Sequence, residues 1–178
     1  MPVHFAMSTH AELLAQSVES TKALVGRYLV GFDDQTALAQ PTGLPNHVIW
    51  NLGHLALTMS RVTEKLDARP PDLACFSSGG STPQAFGLES VAFGSQPSTP
   101  GQSYPSLARA TEIFNESVDR LAGAVRNAGD ARLQDTTPWG NGTTTLSMLI
   151  VRMVFHNGCH TGQMTDTRRA LNMKSIFA

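Results

Sequence analysis

The chain has 178 residues, of which 41% are hydrophobic and 15% charged, and its formal net charge is −1. This length suits a single globular domain, so we expect one domain over residues 1–178. The near-neutral charge lacks the basic footprint of a nucleic-acid-binding protein. No apolar run approaches the roughly 18 residues that span a bilayer. The N-terminus lacks a secretory signal pattern, and Cys75 and Cys159 form no CxxC pair. We therefore expect a cytoplasmic protein without a membrane segment.

The first two predicted helices have clear start and stop signals. The first begins near Thr9, which has capping-box spacing to Glu12, and ends at Gly31. The second begins near Pro45, and residues 70–71, a proline pair, close it. Apolar residues recur every three or four positions in both segments, as in helices that bury one face.

The third and fourth helices complete the prediction. The third opens at Pro105 and ends at Gly129, with the most regular heptad pattern in the chain. The fourth follows a threonine cluster, residues 143–145, whose hydroxyls suit an N-cap, and it continues through Leu171. No segment has a convincing strand pattern. The sequence therefore predicts an all-α four-helix bundle.

One connection is much longer than the others. Residues 68–104 separate the second helix from the third, and a loop of this length is uncommon unless it is functional or disordered. Its apolar residues argue against a plain linker, because an unstructured tether does not need them. They are Phe76, Phe86, Leu88, Val91 and Phe93. We expect a crossover that packs over one end of the bundle.

Two histidines in the fourth helix raise a functional question. His156 and His160 are four residues apart, so both rings lie on one helix face, in the same stripe as Leu149 and Met153. Buried imidazoles need partners, because each unsatisfied group costs about 1–3 kcal/mol. His54, within the apolar second helix, is the best third member. Two interpretations stay open: core histidines that satisfy one another, or ligands of a metal.

Two familiar metal sites do not fit this pattern. The residue after His156 is Asn157, so the glutamate base of the HExxH zinc proteases is absent. A di-iron bundle needs inward-facing glutamates, which the apolar stripes do not offer. Three imidazoles without a carboxylate would leave a coordination position open, as catalytic sites do, and suit zinc, nickel, copper or iron.

The sequence resembles the DinB-like family in three motifs. These are GHL at residues 53–55, PWGNGT before the fourth helix, and H-x3-H-x-GQ at residues 156–163. The resemblance implies a bundle of up-down-down-up topology, with a divalent metal, zinc or nickel first, held by His54, His156 and His160. It also implies a metal-dependent enzyme, since characterised relatives include thiol-dependent transferases and isomerases that use a low-molecular-weight thiol such as bacillithiol or mycothiol. A family-like homodimer is expected, because the light surface charge and the apolar residues outside the main stripes leave room for a subunit interface.

The interpretation assigns several neighbouring residues to the site. Trp139, Asn141 and Trp50 are expected to edge a pocket for a small electrophilic substrate, and Gln163 to orient a ligand or substrate. The catalytic group itself is a metal-bound water or thiol. The alternatives are a metal-dependent hydrolase, and a non-catalytic metal-binding or dimerisation module with apolar residues such as Leu24, Leu55 and Leu57 at its interface.

Overall fold

The computed structural model describes residues 9–97 and 103–176, and most of these residues are helical. Residues 98–102 of the expected crossover lie outside the described residues. Within the described ranges no helix has both the length and the apolar character needed to cross a membrane. The elements are α1 His10–Leu29, α2 Asp34–Ala37, α3 Val48–Asp67, β1 Phe76–Ser77, β2 Phe86–Gly87, α4 Leu107–Arg132, β3 Thr136–Trp139, β4 Gly142–Thr145 and α5 Leu146–Ala170.

Threonine hydroxyls cap the first and last long helices, as predicted. Thr9 Oγ1 accepts a hydrogen bond from the Glu12 amide at 3.1 Å, and Thr145 Oγ1 accepts one from the Met148 amide at 3.2 Å. Such caps satisfy amides that have no partner within the helix. The Glu12 carboxylate accepts from Arg126 of α4, so it joins two helices.

The ends of α3 and α4 differ from the predicted ends by a few residues. His47 caps α3, so the helix begins three residues after Pro45. Ser106 caps α4 through its side chain. Gly129, expected to end this helix, has a φ of 69° and kinks the chain, which then continues helically to Arg132. Glycine adopts this backbone conformation without steric cost.

The four long helices pack around one core. Helices α1 and α3 each contact both α4 and α5. Contacts between α1 and α4, and between α3 and α5, run in opposite sequence order. Contacts between α3 and α4, and between α1 and α5, run in the same order. The contacts in opposite order are Glu12–Arg126 and Lys22–Asp119 between α1 and α4, and Asn51–His160 and Met59–Asn157 between α3 and α5. The contacts in the same order are Ser60–Ser117 and Asp67–Arg120 between α3 and α4, and Thr21–Asn157 and Tyr28–Arg168 between α1 and α5.

The prediction of a helical protein is confirmed in part, since the described residues are mostly helical but two small sheets interrupt the connections. Strands β1 and β2 form a short parallel pair, and β3 and β4 form an antiparallel hairpin before α5. The hairpin turns at Gly140, whose φ of 59° suits glycine in a two-residue turn. Strands β3 and β4 are short but rich in threonine, a β-branched residue that favours extended backbone. The fold is mostly helical with small sheets.

The crossover packs against α3 and enters the core. Phe76, Phe86 and Val91 are buried, whereas Phe93 is 93% exposed. A Cβ atom on Gly53 would lie 2.6 Å from two ring atoms of Phe86, so only glycine fits there. The close approach that Gly53 permits is therefore to the crossover rather than to another helix.

Two leucines assigned to an exposed face are in fact buried. Leu55 and Leu57 are 0% and 1% exposed, because α4, α5 and the crossover together cover most of α3. Leu24 of α1 is 41% exposed.

Candidate metal centre

The structure brings together His54 of α3 with His156 and His160 of α5. One ring nitrogen from each lies within 4.8 Å of those of the other two. The ring centroids of His54 are 5.2 Å from His156 and 5.0 Å from His160, and the two α5 rings are 4.7 Å apart. His54 and His160 are buried, and His156 is half-buried. We call these three residues the histidine triad.

The crossover fixes the orientation of the His54 ring. His54 Nδ1 donates to the Val91 carbonyl at 2.8 Å. Since a carbonyl can only accept, Nδ1 carries the proton and the Nε2 lone pair is free. The Trp50 ring stacks on His54 with centroids 4.7 Å apart, and its indole N–H donates to the Ser90 carbonyl and to Ser95 Oγ. Contacts from the crossover therefore hold both rings.

Two amide side chains fix the His160 ring. His160 Nδ1 donates to Asn51 Oδ1 at 2.8 Å and to Gln163 Oε1 at 3.1 Å. Gln163 Oε1 also accepts from Asn46 Nδ2 at 3.2 Å. These bonds leave the Nε2 lone pair of His160 available. Gln163 thus contacts the ring of His160 and does not line the cavity described below.

His156 differs from the other two residues. Its Nδ1 is buried and has no hydrogen-bond partner among residues 9–97 and 103–176. A buried polar atom left in this way costs about 1–3 kcal/mol. An unpaired ring nitrogen beside two oriented imidazoles is the feature that a bound cation would account for, so the residues present fit a metal.

Burial keeps all three rings neutral. It lowers the pKa of His54, with a smaller opposing effect from the hydrogen bond to Val91. Burial, and secondarily the neighbouring triad rings, lower the pKa of His156 to about 4 and that of His160 to about 3. Neutral imidazole is the form that coordinates metals. The donor set, three imidazoles without a carboxylate, suits zinc, nickel, copper or iron.

A cavity of about 450 Å³ opens beside His54 and His156. Trp139 at the end of β3 lines it. Asn141 is exposed in the hairpin turn and is not among the lining residues, and Trp50 packs behind His54 rather than facing the cavity. The lining residues are His54, Leu57, Thr58, Arg61, Ala92, Phe93, Trp139, Gly140 and His156.

Comparison with known proteins identifies the family. The sequence matches the profile of the DinB superfamily over residues 17–164. The chain belongs to the DinB superfamily. The resemblance seen in the sequence is thereby confirmed, and the superfamily is metal-binding.

A solved structure supports the fold of this DinB-superfamily protein. It is the crystal structure of a conserved protein from Enterococcus faecalis, which is 15% identical and superposes with a TM-score of 0.66. The match covers 92% of this chain and 98% of that one. At this identity the likeness concerns the fold alone. No functionally curated protein matches the sequence significantly.

Sequence reasoning missed two groups that contact the triad of this DinB-superfamily chain. Asn51 lies three residues before His54, and an amide in an otherwise apolar stripe was the available signal. The Val91 carbonyl left no signal, because every residue has a carbonyl. His47 accepts from the Trp50 amide through Nδ1 at 3.0 Å, so it caps α3 and lies outside the triad. Cys159 is exposed.

Proposed function

We propose that this protein is a metal-dependent enzyme that transfers a low-molecular-weight thiol to a small electrophilic molecule. His54, His156 and His160 are the proposed ligands of a divalent metal, with zinc or nickel first. The observation that carries the proposal is the triad itself: three neutral imidazoles from two helices with their donor atoms within 4.8 Å. Membership of a metal-binding superfamily agrees with it.

A divalent cation in this place would supply Lewis acidity, which makes a thiol or a water a stronger nucleophile at neutral pH. The protein's own residues have defined tasks. The Val91 carbonyl and the Asn51 amide oxygen hold two rings in the tautomer that presents Nε2. Such partners orient ligands and raise their basicity. The cavity beside His54 and His156 gives a small substrate access to the triad.

Metal analysis tests the ligand assignment. The purified protein is expected to hold close to one divalent metal per chain. His54→Ala and His160→Ala are expected to lose it, and each should keep its helical circular dichroism. His10→Ala, at the exposed start of α1, is the matched control and should retain the metal. Full metal content in both triad variants would refute the assignment.

The reaction is tested separately. Metal-loaded protein is incubated with a chromogenic aryl halide and a panel of low-molecular-weight thiols that includes bacillithiol and mycothiol. The expected result is thioether formation with loss of halide, dependent on His54. Hydrolysis of ester substrates in the absence of thiol would instead favour a metal-dependent hydrolase. Inactivity in both assays would favour a non-catalytic module.

The order of the cross-helix contacts supports the proposed up-down-down-up arrangement of α1, α3, α4 and α5. A homodimer is the proposed assembly, and exposed apolar residues on one face of α5 support it. Met148, Val151 and Phe155 are 57%, 46% and 72% exposed at helical spacing. Light scattering on wild type and Phe155→Glu tests this. A wild type that is monomeric at all concentrations would refute the dimer.

A further inference from the structure

The cavity beside the triad has an uneven chemical lining. Its apolar walls come from three different elements: Leu57 of α3, Phe93 of the crossover and Trp139 of β3. Arg61 is the one charged side chain among its lining residues, which include no carboxylate. A pocket of this volume with apolar walls and one charged group is typical of a small-molecule site.

Among residues 9–97 and 103–176, Arg61 has no partner of opposite charge. It forms neither an ion pair nor a hydrogen bond with the described residues, although Glu64 and Lys65 lie in the groove that adjoins the cavity. The arginines of α4 are engaged differently. Each is paired with a carboxylate at 3.6 Å or less: Arg109, Arg120, Arg126 and Arg132.

Arg61 lies on the same helix as His54, at a distance from the triad that a small molecule could span. It follows His54 by seven residues, two helical turns, and so lies on the same helix face about 10 Å along the axis. A small molecule with its reactive atom near His54 could therefore place a second group beside Arg61. The planar guanidinium has paired donors that match the two oxygens of a carboxylate.

We propose that the cavity binds small molecules that carry a carboxylate on an apolar, preferably aromatic, body. Arg61 binds the carboxylate, and Trp139 and Phe93 contact the body. This inference deepens the proposed function, on which it rests for the identity of the site, because it names the substrate class. Arg61 is then the residue that distinguishes charged from neutral substrates.

The test uses two probes with the same naphthalene body. 2-Naphthoate carries a carboxylate, and 2-naphthamide replaces it with a neutral amide of similar shape. Binding of each is measured by calorimetry to the full chain after chelator treatment and again after metal loading. The chelator-treated arm is needed because a metal can itself bind a carboxylate.

Three variants locate the source of any preference. Arg61→Gln removes the charge, and Arg61→Lys keeps the charge but loses the paired donors. Arg27→Gln is the matched control, because Arg27 lines a separate cavity of about 530 Å³ with apolar walls at the ends of α1 and α5. Circular dichroism and the thermal midpoint verify that each variant is folded, which the exposure of Arg61 leads us to expect.

The chelator-treated wild type should bind naphthoate about tenfold more tightly than naphthamide, a difference of about 1.4 kcal/mol. Arg61→Gln should abolish this preference, Arg61→Lys should keep part of it, and Arg27→Gln should keep all of it. Equal binding of the two probes, binding of neither, or a preference that depends on Arg27 would overturn the proposal.

The outcomes for the cavity and for the metal are separable. An Arg61-dependent preference in a protein that holds no metal would support the cavity's specificity and refute the proposed metalloenzyme. Stoichiometric metal with no Arg61-dependent preference would leave the proposed enzyme standing and overturn the substrate class.

Discussion

Replacement of Asn51 by leucine should separate metal affinity from stability. Asn51 is fully buried, and its Oδ1 accepts from His160 Nδ1 at 2.8 Å. Its Nδ2 has no hydrogen-bond partner in the described ranges of the chain. Leucine has nearly the same size and no polar atoms. The substitution therefore removes one good hydrogen bond and one unsatisfied donor together.

The two effects on folding have opposite signs. Loss of the bond to His160 lowers the free energy of unfolding by about 1 kcal/mol. Removal of a buried unpaired donor raises it by about 1–3 kcal/mol. Because Gln163 still accepts from His160 Nδ1, that nitrogen keeps a partner. The metal-free variant is thus expected to be about 1 kcal/mol more stable than wild type, or roughly 2–4 °C in thermal midpoint. Loss of an orienting partner should weaken metal binding by about 10–100-fold.

Guanidinium unfolding of chelator-treated protein measures the first quantity, and competitive metal titration the second. Asn157→Leu is the matched control, since Asn157 is a buried amide on α5 that donates to Thr21 Oγ1 and contacts no triad ring through a hydrogen bond. A metal affinity within twofold of wild type in Asn51→Leu would refute the orienting role. A loss of more than about 2 kcal/mol of stability would refute the account of the unpaired donor.

Two further predictions concern α3. Burial lowers the pKa of His47 to about 4. The unfolded residue titrates near 6.5, so the unfolded state binds more protons below that pH, and His47 alone lowers stability by about 3 kcal/mol as pH decreases from about 6.5 to about 4. The triad rings, whose pKa values burial also lowers, add to this fall in metal-free protein. His47→Asn keeps a cap acceptor and should reduce the fall measured by chemical unfolding by the contribution of His47. Gly53→Ala should cost about 1–3 kcal/mol, because its Cβ would overlap the Phe86 ring, and should weaken metal binding by displacing the crossover.

The controls for these two variants come from the same chain. His10→Asn, which replaces an exposed histidine at the start of α1, is the matched control for the loss of a histidine. Parallel profiles for wild type and His47→Asn would contradict the assignment to His47. Gly26→Ala on α1 meets no atom within 4 Å and should be neutral or stabilising. Equal changes in stability for Gly53→Ala and Gly26→Ala would show that the Phe86 ring does not exclude a Cβ atom at position 53.

The sequence predicted the features that depend on local spacing. The threonine caps of α1 and α5 and the shared face of His156 and His160 follow from helical geometry and side-chain chemistry. His54 was placed with them because it interrupts an apolar helix. The hairpin around Gly140 was missed, since short strands of threonine carry little periodicity and depend on their contact with the bundle.

Other features depend on the tertiary path of the chain. Gly53 lies against Phe86 of the crossover, 33 positions later, and no local pattern indicates that partner. The unpaired guanidinium of Arg61 also left no sequence signal, because ion pairing is decided by which carboxylates the fold brings near. The burial of Leu55 and Leu57 has the same origin.

The bond from His54 to the Val91 carbonyl has an evolutionary consequence. Since the acceptor belongs to the backbone, substitution of the side chain at position 91 leaves it in place as long as the new residue can be buried. Homologues can therefore diverge widely in this segment and still orient the ring. Such proteins would be recognised from their sequences by the histidines. The path of the crossover, which orients His54, would be recognisable only from a structure.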